Sequence, residues 1–202
     1  MEPYYDLGSY SCPVSTDSAD AQLWFDRGLN WIYGFNHEEA VCCFERALLA
    51  DPDCAMAYWG IAYAVGPNYN MTWDLFDTQS RAEALGKAFD ATRSALARLG
   101  GCSDAETLLI KALPARYPQQ ELSDDMHLWE RAFSDTMRDA LALCPDHLDL
   151  RSVFAESLLN LTPWKMWDLK TGNPAEGAAT DEVRSVLEYA MQSLEGAMTH
   201  PG

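Results

Sequence analysis

Apolar side chains recur at three- and four-residue steps through most of the chain, the spacing of one face of an α-helix. Leu23, Trp24, Leu29, Trp31 and Ile32 form one such stripe, and Ala40, Val41, Phe44, Ala47 and Leu48 form the next. Between them lies Gly34-Phe35-Asn36-His37, too short for anything but a turn, so the pattern predicts two amphipathic helices folded back on each other. Asp51-Pro52 stops the second, because a residue before proline is pushed out of the helical region. "DCAMAYWGIAYAV" starts a third helix at once. "QSRAEALGKAFDATRSALARLGG" follows, closing on a glycine pair suited to a helix end, and "SDAETLLIKAL" opens with Ser103 and Glu106 in a capping-box spacing. "SDDMHLWERAFSDTMRDALALCP" and "HLDLRSVFAESLLNL" make another pair split by Pro145, and a last helix runs from about Asp181 to about Met198. No stretch alternates with period two for the length of a strand. The expected class is all-α: one helical domain over 18–202, with residues 1–17 as an arm lying on it.

Two segments interrupt the rhythm. Residues 66–77, "GPNYNMTWDLFD", and 162–180, "TPWKMWDLKTGNPAEGAAT", are rich in Pro, Gly, Asn and Trp. Connections this apolar are expected to fold back onto the helices or to line a cavity.

Composition narrows the partners. With 202 residues, 48% of them hydrophobic, the chain can bury a sizeable core. Fourteen basic against 31 acidic side chains give a net charge of -17, which repels phosphate backbones and anionic membrane surfaces, so nucleic acid is excluded as a partner. No apolar run approaches the roughly 20 residues of a bilayer span, and the first residues carry no basic-then-apolar leader, so a cytoplasmic location is expected. The six cysteines show neither CxxC pairs nor a disulfide spacing, and read as small core residues.

Trp24, Gly28, Trp31, Ala40, Phe44, Ala47 and Pro52 stand at the large-and-small spacing of a tetratricopeptide repeat, which residues 21–52 resemble; only Arg27 departs, where that pattern asks for leucine. A second copy begins at Ala55 with Tyr58 and Ala62, and is interrupted by the segment at 66–77. Phe133, Met137, Ala140 and Pro145, then Ala155 and Pro201, resemble parts of later copies. The string from Trp24 to Asn68, with "LTPWKMWD" and the terminal "HPG", is similar to uncharacterised microbial tetratricopeptide-repeat proteins that are longer, which implies an N-terminal part or shortened form.

The resemblance implies an α-solenoid of antiparallel helical hairpins whose first helices line a concave groove. Carried onto this chain, that groove receives Gln22, Phe25, Asp26, Leu29, Ile32 and Tyr33 from one helix and Met56, Trp59 and Tyr63 from another, with Asn68 and Asn70 in a loop roofing one end. Trp24, Trp31, Phe44 and Tyr58 are expected in the core. An aromatic, acidic groove suits a protein or peptide partner, apolar or basic, or a small apolar or cationic ligand. The expected function is therefore a binding scaffold, with self-association through uncapped repeat ends as a further possibility. The alternative is a metal- or small-molecule-binding enzyme with a pocket near His37, roofed by the two Trp-rich insertions.

His37 decides little by itself. At the start of the second helix it is expected to pack across the turn, with Asn36 as cap and Glu38 and Glu39 favoured by the helix dipole. No HExxH, GxSxG, P-loop or GxGxxG is present, and no cofactor is implied. A metal ion held by His37 and His200 is the alternative to that packing role, and His127 with Glu130 is a lone pair at helical ligand spacing.

Overall fold

A computed structural model describes residues 4–202; the first three residues of the expected arm lie outside the described residues. Among the described residues eight α-helices follow one another: α1 (Ala19–Tyr33), α2 (His37–Ala50), α3 (Ala55–Val65), α4 (Thr78–Leu96), α5 (Asp104–Arg116), α6 (Met126–Leu143), α7 (Leu148–Leu159) and α8 (Thr180–Ser193). Short 3-10 turns occupy Trp73–Leu75 and Ala197–Thr199. Among the described residues no strand forms, only isolated bridges at Asn68 with Met71 and Trp167 with Pro174. The all-α class holds, and no helix is long and apolar enough to cross a membrane.

Local chemistry sets the helix ends. Ser18, Asn36 and Asp77 accept hydrogen bonds from the exposed amides of α1, α2 and α4, and Ser103 with Glu106 forms the expected capping box on α5. The turn between α1 and α2 is a Schellman closure: Asn36 N donates to Trp31 O, and Phe35 N donates to Ile32 O. Such a turn needs a left-handed residue, and here it is Phe35 (φ 58°) rather than the neighbouring glycine. His37 begins α2 with its ring edge-on to Phe35 at 5.9 Å.

Two ends differ from expectation. The last helix stops at Ser193, short of Met198, because Leu194 is extended and Gly196 turns left-handed at φ 82°. Helix α4 stops at Leu96, before the glycine pair, whose Gly101 (φ 94°) instead shapes the approach to α5.

Each helix packs on the next, and α1 also meets α3, and α3 meets α5. Phe44 explains why glycines stand at positions 28 and 60. A Cβ at either Gly28 or Gly60 would fall 2.6 Å from its ring, so Phe44 is clamped between α1 and α3 with no room for a methyl group on either side. Removing that ring would cost about 3–5 kcal/mol, the usual scale for a buried Phe cut to Ala.

Burial of the aromatics reverses part of the expected assignment. Phe44 is in the core, but Trp24, Trp31 and Tyr58 are only partly buried. Arginines cover them: Arg27 and Arg46 lie 4.4 and 4.5 Å from the Trp24 ring, and Arg98 lies 4.7 Å from Tyr58. Arg27, the departure from the repeat pattern, also lies 4.3 Å from the Tyr4 ring, so a cation bridging two aromatic faces replaces an aliphatic contact.

Candidate functional site

The face expected to form the groove is occupied by the chain itself. Gln22, Asp26 and Asn30 stand four residues apart on α1 and make one polar stripe. Along it runs the arm. Asn30 Nδ2 donates to Tyr10 O at 3.3 Å, Asp26 Oδ1 accepts from Cys12 N at 3.0 Å, and Gln22 both donates to Cys12 O and accepts from Val14 N, each at 2.9 Å. Glu106 of α5 then takes Ser15 N at 2.6 Å. Burial pushes the Asp26 carboxyl above its ordinary value, against the bonds from Ser11, Cys12 and Gln22.

Beyond the stripe Tyr10 of the arm enters a knot around Asp149, at the start of α7. Tyr10 donates its hydroxyl to both Asp149 oxygens at 2.7 Å, Tyr33 donates to Oδ1 at 2.7 Å, and His200 Nε2 lies 3.2 Å from Oδ1. Burial works to raise this carboxyl, but His200, Tyr10 and Tyr33 outweigh it and hold it down at about 2. Burial and the adjacent carboxylate push both tyrosine hydroxyls up, so they stay donors. Two helical turns on, Glu156 accepts the Tyr63 hydroxyl. Helix α7 thus meets the C-terminal ends of α1 and α3 through tyrosines reaching across the inner face.

The expected groove residues are accounted for as follows. Phe25, Leu29, Met56, Trp59 and Tyr63 are closed to solvent rather than presented to a ligand. Phe25 packs on Phe44 with ring centres 5.5 Å apart, and Trp59 stacks on Tyr63 at 5.1 Å. Asp26 and Tyr33 are taken by the arm and by Asp149. Asn68 holds its own turn, accepting from Asn70 N at 2.9 Å and Met71 N at 3.1 Å, and Asn70 is exposed. His37 and His200 are not brought into one ligand set: His200 joins the Asp149 knot, and the three-residue group of metal-ligating side chains that forms, Cys12, His147 and Asp149, contains neither. Burial lowers the His37 pKa and favours its neutral form.

A second place is open. The two Trp-rich insertions face each other across a cleft of about 570 Å³, lined by Asn68, Trp73 and Asp74 from the first and Thr162, Trp164 and Lys165 from the second. The insertions thus line a cavity, as expected, but His37 is not in it. Helix α6 supplies His127, Glu130 and Arg131 to its wall, and Asn160, just past α7, also lines it.

The polar groups of this cleft are incompletely used. Both side-chain atoms of Asn160 and Nε of Arg81 are buried without a hydrogen-bond partner. Glu130 is engaged by Arg116 at 3.4 Å, and Arg116 also donates to Pro67 O at 2.6 Å. Burial pushes the Glu130 carboxyl up, against that pairing. Among the described residues Arg81, Arg131 and Lys165 form no ion pair, so three cations face the cleft with Asp74 as the sole carboxylate not already paired. At the rim Trp164 is exposed and held left-handed at φ 59°, its backbone N–H donating to the Tyr69 hydroxyl at 2.9 Å.

Sequence reasoning missed Asn30, Asp149, Glu156 and Asn160, and for Glu106 it found the helix cap but not the bond to the arm. A signal existed for three of these. The four-residue spacing of Gln22, Asp26 and Asn30 marks a polar stripe, and Asp149 and Glu156 share a face of α7 with the buried Val153. No protein-family model, curated protein or solved structure matches the chain.

Proposed function

We propose that the chain is a binding module of the tetratricopeptide-repeat type that takes a small molecule with an anionic group in the cleft between its two insertions. Four successive helical hairpins, with α1 meeting α3 and α3 meeting α5, support the repeat reading. The observation that carries the ligand reading is the Asn160 side chain, whose amide nitrogen and oxygen are both buried and unpartnered in a cavity wall. A buried polar group without a partner costs about 1–3 kcal/mol, so a ligand that supplies the partner recovers it. Arg131 and Lys165 set the sign of that ligand, since a protein of net charge -17 here leaves cations unpaired. Titration calorimetry of the full chain with small carboxylates and phosphate esters tests this. Saturable binding weakened at least about ten-fold in Asn160→Leu and Arg131→Ala is expected; heats that never saturate with any of these compounds would sink the reading.

A second reading, recognition of an extended polypeptide on the inner face, is favoured by one observation. Gln22, Asp26 and Asn30 bond to the arm's backbone, with the Ser11 hydroxyl donating to Asp26 as the one side-chain contact of this stripe among the described residues, so they hold an extended chain chiefly through its main chain. A labelled peptide matching residues 4–17 should bind a Tyr10→Ala variant, whose own arm is loosened, more tightly than the unaltered chain. Equal affinity for both would leave the arm as structure alone.

A further inference from the structure

The Asp149 knot holds two more groups that the packing of the arm does not require. Cys12 of the arm and His147, which caps α7, bring Sγ and a ring nitrogen to Asp149 so that the three donor atoms all lie within 4.8 Å of one another. We propose that Cys12, His147 and Asp149 bind a divalent transition metal ion of the zinc class, a site independent of what the cleft takes.

The donor set is the first reason. A thiolate, an imidazole and a carboxylate together match zinc and cobalt, whereas calcium and magnesium take oxygen donors. Ligand atoms that lie within 4.8 Å of one another need only small rotations to close on a common centre. Three protein donors also leave the fourth corner of a tetrahedron for water or an added ligand.

The surroundings are the second reason. Asp149 Oδ1 already receives Tyr10, Tyr33 and His200, while Oδ2 receives Tyr10 alone. The carboxylate is therefore held in place by outer donors, as such donors orient a metal ligand, with Oδ2 the less occupied oxygen. The His200 side chain is only 3% exposed, so this support is itself buried.

Binding has a defined exchange of protons and bonds. The metal takes the place of the Cys12 thiol proton, which leaves to solvent, and a metal–sulfur bond forms. His147 Nδ1 accepts from Leu150 N at 3.3 Å. Whichever ring nitrogen the metal takes, neutral His147 gives up that acceptor role: on Nδ1 the lone pair is used, and on Nε2 the proton moves to Nδ1. Metal binding and this long cap bond are mutually exclusive. The arm then becomes fixed to α7 by coordination as well as by Tyr10.

The test uses the full chain, purified without a histidine tag, stripped with a chelator and titrated with cobalt and with zinc. One equivalent should bind, with a thiolate-to-cobalt charge-transfer band that zinc abolishes. Cys12→Ser should remove the band. His147→Asn keeps a good helix cap while deleting the imidazole, and should weaken binding at least about ten-fold. Cys102→Ser, outside the group, should bind as the unaltered chain does, and circular dichroism of each variant checks that it folds. No cobalt binding, or cobalt bound without the thiolate band, or the same affinity in folded Cys12→Ser and His147→Asn, would each overturn the assignment.

Discussion

The inner face and the cleft both carry polar side chains but leave them in opposite states. On the inner face Gln22, Asp26, Asn30, Tyr33 and Asp149 each find a partner within the chain. In the cleft, among the described residues, the Asn160 side chain finds none, and Arg81, Arg131 and Lys165 form no ion pair. Polar groups satisfied internally contribute to the fold, whereas groups left short of partners are the ones a ligand can complete. Arg131 and Lys165 are exposed where Asp149 is buried, but Asn30 and Asn160 are both half-buried, and only their hydrogen bonds tell those two apart.

The sharpest way to break this contrast is to empty the inner-face knot. Asp149→Ala strands the Tyr10 and Tyr33 hydroxyls and His200, and should cost about 3 kcal/mol in urea unfolding. A loss no larger than that of an ordinary surface substitution would mean that the knot is not what holds the arm. Acid titration comes next in size. The Asp149 carboxyl is held at about 2 from an ordinary 3.8, so its contribution is present above pH 4 and fades as the pH falls through 2. Over that window the chain should lose roughly 2 kcal/mol, and Asp149→Asn should flatten this part of the profile.

The cleft should answer differently. Asn160→Leu removes unpartnered polar atoms, so stability should stay level or rise by up to about 1 kcal/mol while ligand binding falls, read by thermal unfolding beside calorimetry. A substantial destabilisation would return Asn160 to the fold. The smallest effect is expected at the rim: Trp164→Gly relieves a left-handed backbone and should stabilise by about 0.5–1 kcal/mol, less what the Tyr69 edge contact contributes.

Most helices were legible in the sequence because periodicity and capping are local. Asn36, Ser103 and Glu106 act at the positions their spacing indicates, and Gly28 with Phe44 marks a close helix crossing. The faces were not legible. Phe25, Leu29, Trp59 and Tyr63 lie where an exposed groove was expected, and only the return of the arm and the reach of α7 close that side. Both depend on bonds between distant positions, such as Ser15 with Glu106 and Tyr63 with Glu156, for which periodicity carries no information. The cleft was half legible: two Trp-rich interruptions pointed to a cavity, but its chemistry comes from Asn160, Arg81 and Arg131, which sit in otherwise ordinary helical stretches.

The bond from Tyr10 to Asp149 joins positions 139 residues apart. At 5–20 residues per second, a ribosome finishes Tyr10 roughly 7–28 s before it reaches Asp149. Through that interval the first hairpins can fold with the arm docked on α1, α2 and α5 but without Asp149, and the final anchor forms as synthesis reaches α7. During translation, then, the inner face is at first open, and a nascent chain paused before α7 should expose to protease an arm that the finished protein protects.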